Sequence, residues 1–157
     1  MMNVPANISA VTDIKSGNTT IHLDMSVLNK ILAECPERAD KIVRSVAFDV
    51  QGRAVIYSRW KTGANRASIF VRTSKTNGYQ AASEAAKQAA AAKGVIVETH
   101  DPTPGDPEVG TAYVAPGMEY SFFLEFGTSR MPAYPFIFPA VEDARGQFMA
   151  KFADLFK

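Results

Sequence analysis

Few residues in this chain have the chemistry of a catalyst or a metal ligand. The two histidines and the single cysteine are His22, His100 and Cys35, too few and too scattered for a standard zinc site. Glu98 and His100 lie two residues apart in a β-prone run, so they would share one face of a strand and could hold a metal or move a proton. With no further ligand nearby, the plainer reading is the solvent face of a hairpin beside a proline-rich turn. Glu125, between Leu124 and Phe126, would become an acid of raised pKa if it were buried without a partner. The plainer role is to cap a turn or pair with Arg130. Cys35 suits a small apolar position at a helix end. The sequence holds no Gly-x-Ser-x-Gly elbow, no phosphate-cradling glycine loop and no His-Glu-x-x-His. The expectation is therefore no catalytic residue, no metal site and no cofactor.

The elements that would position these residues belong to a modest chain. Its 157 residues suit a single domain spanning 1–157. Apolar residues make up 46% and charged residues 21%, a globular balance, and the formal charge is only +1. Nothing global points to nucleic acid or to an anionic membrane. No apolar run approaches the ~20 residues of a membrane-spanning helix. The neutral Met1 to Ala10 stretch, with Pro5, lacks the marks of a signal peptide. One cysteine excludes an intrachain disulfide and fits a reducing compartment. The expectation is a soluble protein made in the cytosol.

Residues 1–19, rich in Asn, Ser and Thr, read as a loosely held arm. Thr20 to Asp24 alternates as a short strand does, and Asp24 or Ser26 can cap a helix carrying Val27, Leu28, Ile31 and Leu32. From Glu37 to Trp60, Ala39, Ile42, Val43, Val46, Ala47, Val50, Ala54 and Tyr57 keep three- and four-residue spacing. This predicts the longest helix, opened near Pro36 and stopped by Lys61-Thr62-Gly63. Ala67 to Thr73 is a strand, with Ile69 and Val71 on one face and Ser68, Phe70 and Arg72 on the other. Residues 74–108 read as an insertion-like excursion. Its Ala-rich part from Ala81 to Lys93 has almost no large side chains to dock it, so it is helical at best and outside the core. Gly94 to Thr99 and Val109 to Ala115 form a hairpin around Pro102, Pro104 and Pro107. A last helix opens at Pro139 with Val141, Phe148, Phe152 and Leu155 or Phe156 on one side. The fold class is α+β: a small, mostly antiparallel sheet packed against a long helix in the N-terminal half and a C-terminal helix.

Two features concern partners. Residues 38–93 hold eleven basic groups against three acidic, whereas 94–157 hold four basic against nine acidic. The plain account is a solvated helix face. The functional account is subunits meeting basic side to acidic side. Tyr120 to Pro139 carries Phe122, Phe123, Phe126, Met131, Tyr134, Phe136, Ile137 and Phe138, more apolar surface than a short helix and a loop easily bury. Part of it is core lid; the remainder suggests an interface.

Two segments resemble one family. Thr62-Gly63-Ala64-Asn65-Arg66-Ala67-Ser68-Ile69 is similar to the Thr-Gly-x-Leu-Arg-x-Ser-Ile segment that follows the long helix in neck, or tail-completion, proteins of tailed bacteriophages, with Asn65 where Leu is usual. Tyr120, then Leu124-Glu125-Phe126-Gly127-Thr128, Met131-Pro132-Ala133, Pro135-Phe136 and Pro139-Ala140, resembles that family's second and more specific block. The likeness covers roughly 20–73 and 109–157 and leaves 74–108 unexplained. It implies a non-catalytic virion protein at the head–tail junction, assembled in the host cytoplasm into a homo-oligomeric ring, hexameric in preference to dodecameric. Implied partners are a second copy, the adjacent head-completion or connector protein, the tail-tube or tail-terminator protein, and genomic DNA passing through without sequence-specific binding; no membrane is involved. The implied interface set is Thr62, Gly63, Arg66, Ser68, Tyr120, Leu124, Glu125, Phe126, Gly127, Thr128, Met131, Pro132, Pro135, Phe136 and Pro139. A tail-terminator or head-closure ring is the near alternative. A nucleic-acid-binding module using 38–93 is the alternative of a different class, though that stretch carries no recognised binding motif.

Overall fold

A computed structural model describes residues 11–16, 19–24, 36–59 and 63–154. The helix read at 26–32, Cys35, Thr62, Leu155 and Phe156 lie outside the described residues. The elements are β1 (Val11–Ser16), β2 (Thr19–Asp24), α1 (Pro36–Tyr57), α2 (Ala64–Ala67), β3 (Ile69–Thr73), α3 (Tyr79–Ala91), β4 (Ala112–Pro116), α4 (Ser121–Phe126) and α5 (Ile137–Ala153). Helices dominate around small antiparallel sheets, and the fold is α+β with a long helix in the N-terminal half and a C-terminal helix. Part of the stretch read as an arm, β1, pairs antiparallel with β2, Val11 opposite Asp24.

α1 follows its periodicity. Pro36 opens it, where a missing N–H is harmless, and Ala39, Val46, Ala47, Val50 and Ala54 are buried along one stripe. That stripe faces α5 and one face of the β3–β4 sheet. Val46, Val50, Ala54, Ile69, Phe136, Ala140 and Ala144 form the main core, with Ile42, Leu124 and Phe148 packed against it. Tyr57 ends the stripe exposed and donates its hydroxyl to Asp143 of α5.

β3 departs from simple alternation. Ile69, Phe70 and Val71 are all buried, because α1 covers one face and α3 the other. Phe70 meets Tyr79 of α3 edge-on, ring centroids 5.4 Å apart.

Three expectations need correction. The Ala-rich segment is part of the core: α3 buries Ser83, Ala86 and Ala90, and Ala86 and Ala90 are fully inaccessible, packed with Ala64 and Met118. Large side chains are unnecessary there because methyl groups let α3 come close to α2; a Cβ on Gly63 would lie 3.8 Å from that of Ala89. The hairpin of 94–99 with 109–115 does not form. Residues 95–100 are not a strand, and β4 pairs instead with β3, Val71 opposite Val114. This pairing gives β4 a buried partner, whereas 94–99 would have offered one already turned to solvent. In α5, Val141 is exposed and the buried positions are Ala140 and Ala144. The helix begins at Ile137, two residues before Pro139, and its inward stripe is Ile137, Ala140, Ala144 and Phe148, which leaves Val141 to the side.

Candidate functional site

The two motif segments fold into one unit at the join between α1, α4 and α5. Its centre is Glu125. The carboxylate accepts hydrogen bonds from the backbone N–H groups of Phe136 (2.8 Å), Ile137 (3.1 Å) and Phe138 (2.8 Å). These are the orphan donors at the start of α5, where the helix dipole also favours negative charge. No side chain of the N-cap residue Phe136 serves that end, so a carboxylate from α4 does. Of the two plain readings of Glu125, the cap holds and the ion pair with Arg130 does not form.

The twelve residues from Glu125 to Phe136 must therefore turn back on themselves. Gly127 makes the turn at φ 76° and ψ −177°, a conformation close to glycine-only. A Cβ there would lie 2.7 Å from the Ala133 nitrogen and 2.9 Å from the Met131 oxygen. Thr128 and Met131 exchange backbone hydrogen bonds, and the Thr128 hydroxyl accepts from the N–H groups of Arg130 and Met131. Tyr134 N–H returns to the Leu124 carbonyl at 2.7 Å. The Arg59 guanidinium sits over the Tyr134 ring, 3.5 Å from its centroid, a cation–π contact that ties the strap to the end of α1. Phe136 then enters the core at 1% exposure.

The first motif segment ties the same unit from the other side. Gly63 takes a left-handed φ of 85°. Arg66 reaches back to the end of α1, donating to the carbonyls of Val55 (2.8 Å) and Ile56 (3.1 Å), the usual need of a helix C-terminus. Ser68 donates to the Asn65 carbonyl at 2.8 Å. Asn65 is buried. It donates to Ser58 at 2.8 Å and accepts from Ser121, and so bolts α1 to α4. Burial pushes the Tyr120 hydroxyl up, against an opposing hydrogen bond with the Asn65 backbone.

The site residues thus divide. Gly63, Arg66, Ser68, Glu125, Gly127, Thr128 and Phe136 hold the fold. Tyr120, Phe126, Pro132 and Pro135 are exposed, with Leu124, Met131 and Pro139 half-buried between the two groups. Beside Phe126 stand Phe122 and Phe123, 63% and 51% exposed, packed ring against ring. Phe138 at the start of α5 is exposed as well.

Elsewhere the charges of the two halves meet within the subunit. Arg72 binds Asp101, Thr103 (2.7 Å) and Asp106 (2.8 Å) and so anchors the proline-rich loop. Lys151 binds Asp49 at 3.1 Å, and Arg53 lies 3.7 Å from Asp143. Part of the basic and acidic contrast is consumed inside one chain. Glu98 and His100 are both exposed on a segment that is not a strand. Among the described residues no three His, Cys, Asp or Glu side chains gather where a metal could bind, and no helix is long and apolar enough to cross a membrane. No protein-family model, curated protein or solved structure matches the chain.

Proposed function

We propose that this chain is a structural virion protein of a tailed phage, forming a homo-oligomeric ring in the neck that completes the tail and joins it to the DNA-filled head. The observation that carries the reading is the aromatic face of α4. Phe122, Phe123 and Phe126 are exposed together on a six-residue helix that is fixed from behind by the Glu125 cap, the Tyr134–Leu124 hydrogen bond and the Asn65–Ser121 contact. Contiguous exposed aromatics on a polar chain mark an interface. A rigid backing removes most of the ordering cost when such a surface docks. The resemblance of the Leu-Glu-Phe-Gly-Thr and Met-Pro-Ala blocks to neck proteins supplies the identity of that interface.

Light scattering over a concentration series, with negative-stain images of the concentrated protein, tests the assembly. Rings are expected, and Phe126→Ala should abolish them while leaving the melting temperature nearly unchanged. Complementation of a phage deleted for the gene tests the role: filled heads without stably joined tails are expected from Phe126→Ala. A monomer at every concentration and in purified necks would overturn the reading. DNA affinity with a steep salt dependence would favour the nucleic-acid-binding alternative instead.

A further inference from the structure

The β3–β4 sheet has two unlike edges. On the β3 side the Ile69 carbonyl accepts from the Gln51 side chain at 2.7 Å, the Val71 carbonyl accepts from Gly78 N–H at 3.0 Å, and Thr73 N–H donates to Thr76 at 2.7 Å. The turn at 74–78 and helix α1 therefore close that edge. In a strand, the N–H and C=O of one residue point to the same side, so these bonds direct Ile69, Val71 and Thr73 away from β4. The pairs facing each other across the ladder are then Phe70 with Ala115 and Arg72 with Tyr113. It follows that Ala112, opposite Thr73, and Val114, opposite Val71, direct their N–H and C=O groups to the far side of β4. Among the described residues no strand lies there, and β4 keeps intermediate exposure along its length. An open edge of this kind is a template for a further strand. Pro116, which has no N–H, limits the template at its end.

The β1–β2 hairpin has the complementary lack. It is a two-stranded sheet by itself, separate from β3–β4 within the chain, and two strands alone are marginal in water. Its strands are six residues each, against five in β4. The intervening residues 25–35 can span at most roughly 35–40 Å, enough for the hairpin to reach a neighbour.

We infer that the β1–β2 hairpin of one copy adds to the open β4 edge of a second copy, making a four-stranded sheet across the subunit boundary. The inference rests on the self-assembly proposed above and specifies its contact. Hairpin and edge are different surfaces, so the contact is head-to-tail and closes into a ring when the rotation allows.

Amide hydrogen exchange on the full chain, dilute and concentrated, tests it alongside light scattering. On assembly the amides of Ala112 and Val114 should slow by about tenfold or more, while those of Tyr113 and Ala115, already bonded to β3, change little. A variant lacking residues 1–24 should stay monomeric. Ala112→Pro, which removes an outward N–H at the first residue of the strand, should weaken association about tenfold or more at unchanged melting temperature. Assembly with Ala112 and Val114 exchanging at the monomer rate would overturn strand addition and leave the ring standing. A full chain that is monomeric at all concentrations would remove both. If the truncated variant does not fold, the exchange of Ala112 and Val114 in the full chain decides.

Discussion

Two regions of this molecule are both buried, one with large side chains set among alanines and one almost wholly of alanine. Around Phe136, the space between α1, β3 and α5 is filled by Phe136, Val46, Val50 and Ile69, with the alanines Ala54, Ala140 and Ala144 between them. Around Ala86, the space between α2, α3 and Val97 is filled largely by methyl groups, and among the described residues Met118 is the one large side chain buried there. The first region holds elements apart with volume; the second lets helices come close because nothing stands between them. Apolar bulk is thus a poor guide to what is core. What removes a surface from water is the fit of its neighbour, and small residues fit a near backbone as well as large ones fit a distant one.

The comparison breaks most visibly at Phe136. Truncation to alanine should leave a cavity and destabilise by about 3–5 kcal/mol, read as a fall in denaturant midpoint at unchanged slope. In the other region the damaging change is the reverse one. Ala86→Leu should overpack the α2–α3 contact and cost about 1–3 kcal/mol, whereas the same substitution at exposed Ala85 should be nearly silent; thermal melts of both variants decide it. If Ala86→Leu is also silent, the alanine region is loose and its burial is incidental.

Between the two regions stands the cap. Glu125→Ala leaves three backbone N–H groups at the start of α5 without their carboxylate, and should cost about 1–2 kcal/mol. The accompanying signature is faster exchange of the Phe136, Ile137 and Phe138 amides, with the Ala86 region unaffected.

The smallest effect touches neither core. Asp40, buried near the start of α1, would be raised by burial, but hydrogen bonds from Arg44 and Gly110 and the charges of Arg44 and Lys75 outweigh this and hold it below its usual 3.8. A depressed folded-state pKa gives stabilisation that is complete above the unfolded value and is lost as pH falls through the folded one. Stability measured from neutral pH down into that acid range should therefore fall, and Asp40→Asn should flatten the fall while lowering stability at neutral pH.

Periodicity was a reliable guide to α1, because a helix that buries one stripe writes that stripe into its sequence every three or four residues. For Glu125 the sequence left a turn cap and a pair with Arg130 both open, and gave no sign of the helix it caps, which begins twelve residues later. Strand pairing was not legible at all. Gly94 to Thr99 and Val109 to Ala115 are each β-prone and close in sequence, yet β4 lies against β3, about forty residues upstream. Local propensity is blind to which edge offers a partner and a covered face. The Asn65 network was hidden for the same reason, since Ser58, Asn65 and Ser121 are unremarkable until three elements bring them together.

The sequence by itself determined the α+β class, the long helix and its apolar stripe, and the chain's lack of known catalytic signatures. These depend on backbone preferences and spacing within one element. Tertiary structure alone decided that the alanine helix is core, that β4 pairs with β3, that Glu125 caps α5, and that Phe122, Phe123 and Phe126 face outward while Phe136 faces in. Each of those is settled by which other part of the chain arrives, and periodicity within one element shows that a face is buried without showing what buries it.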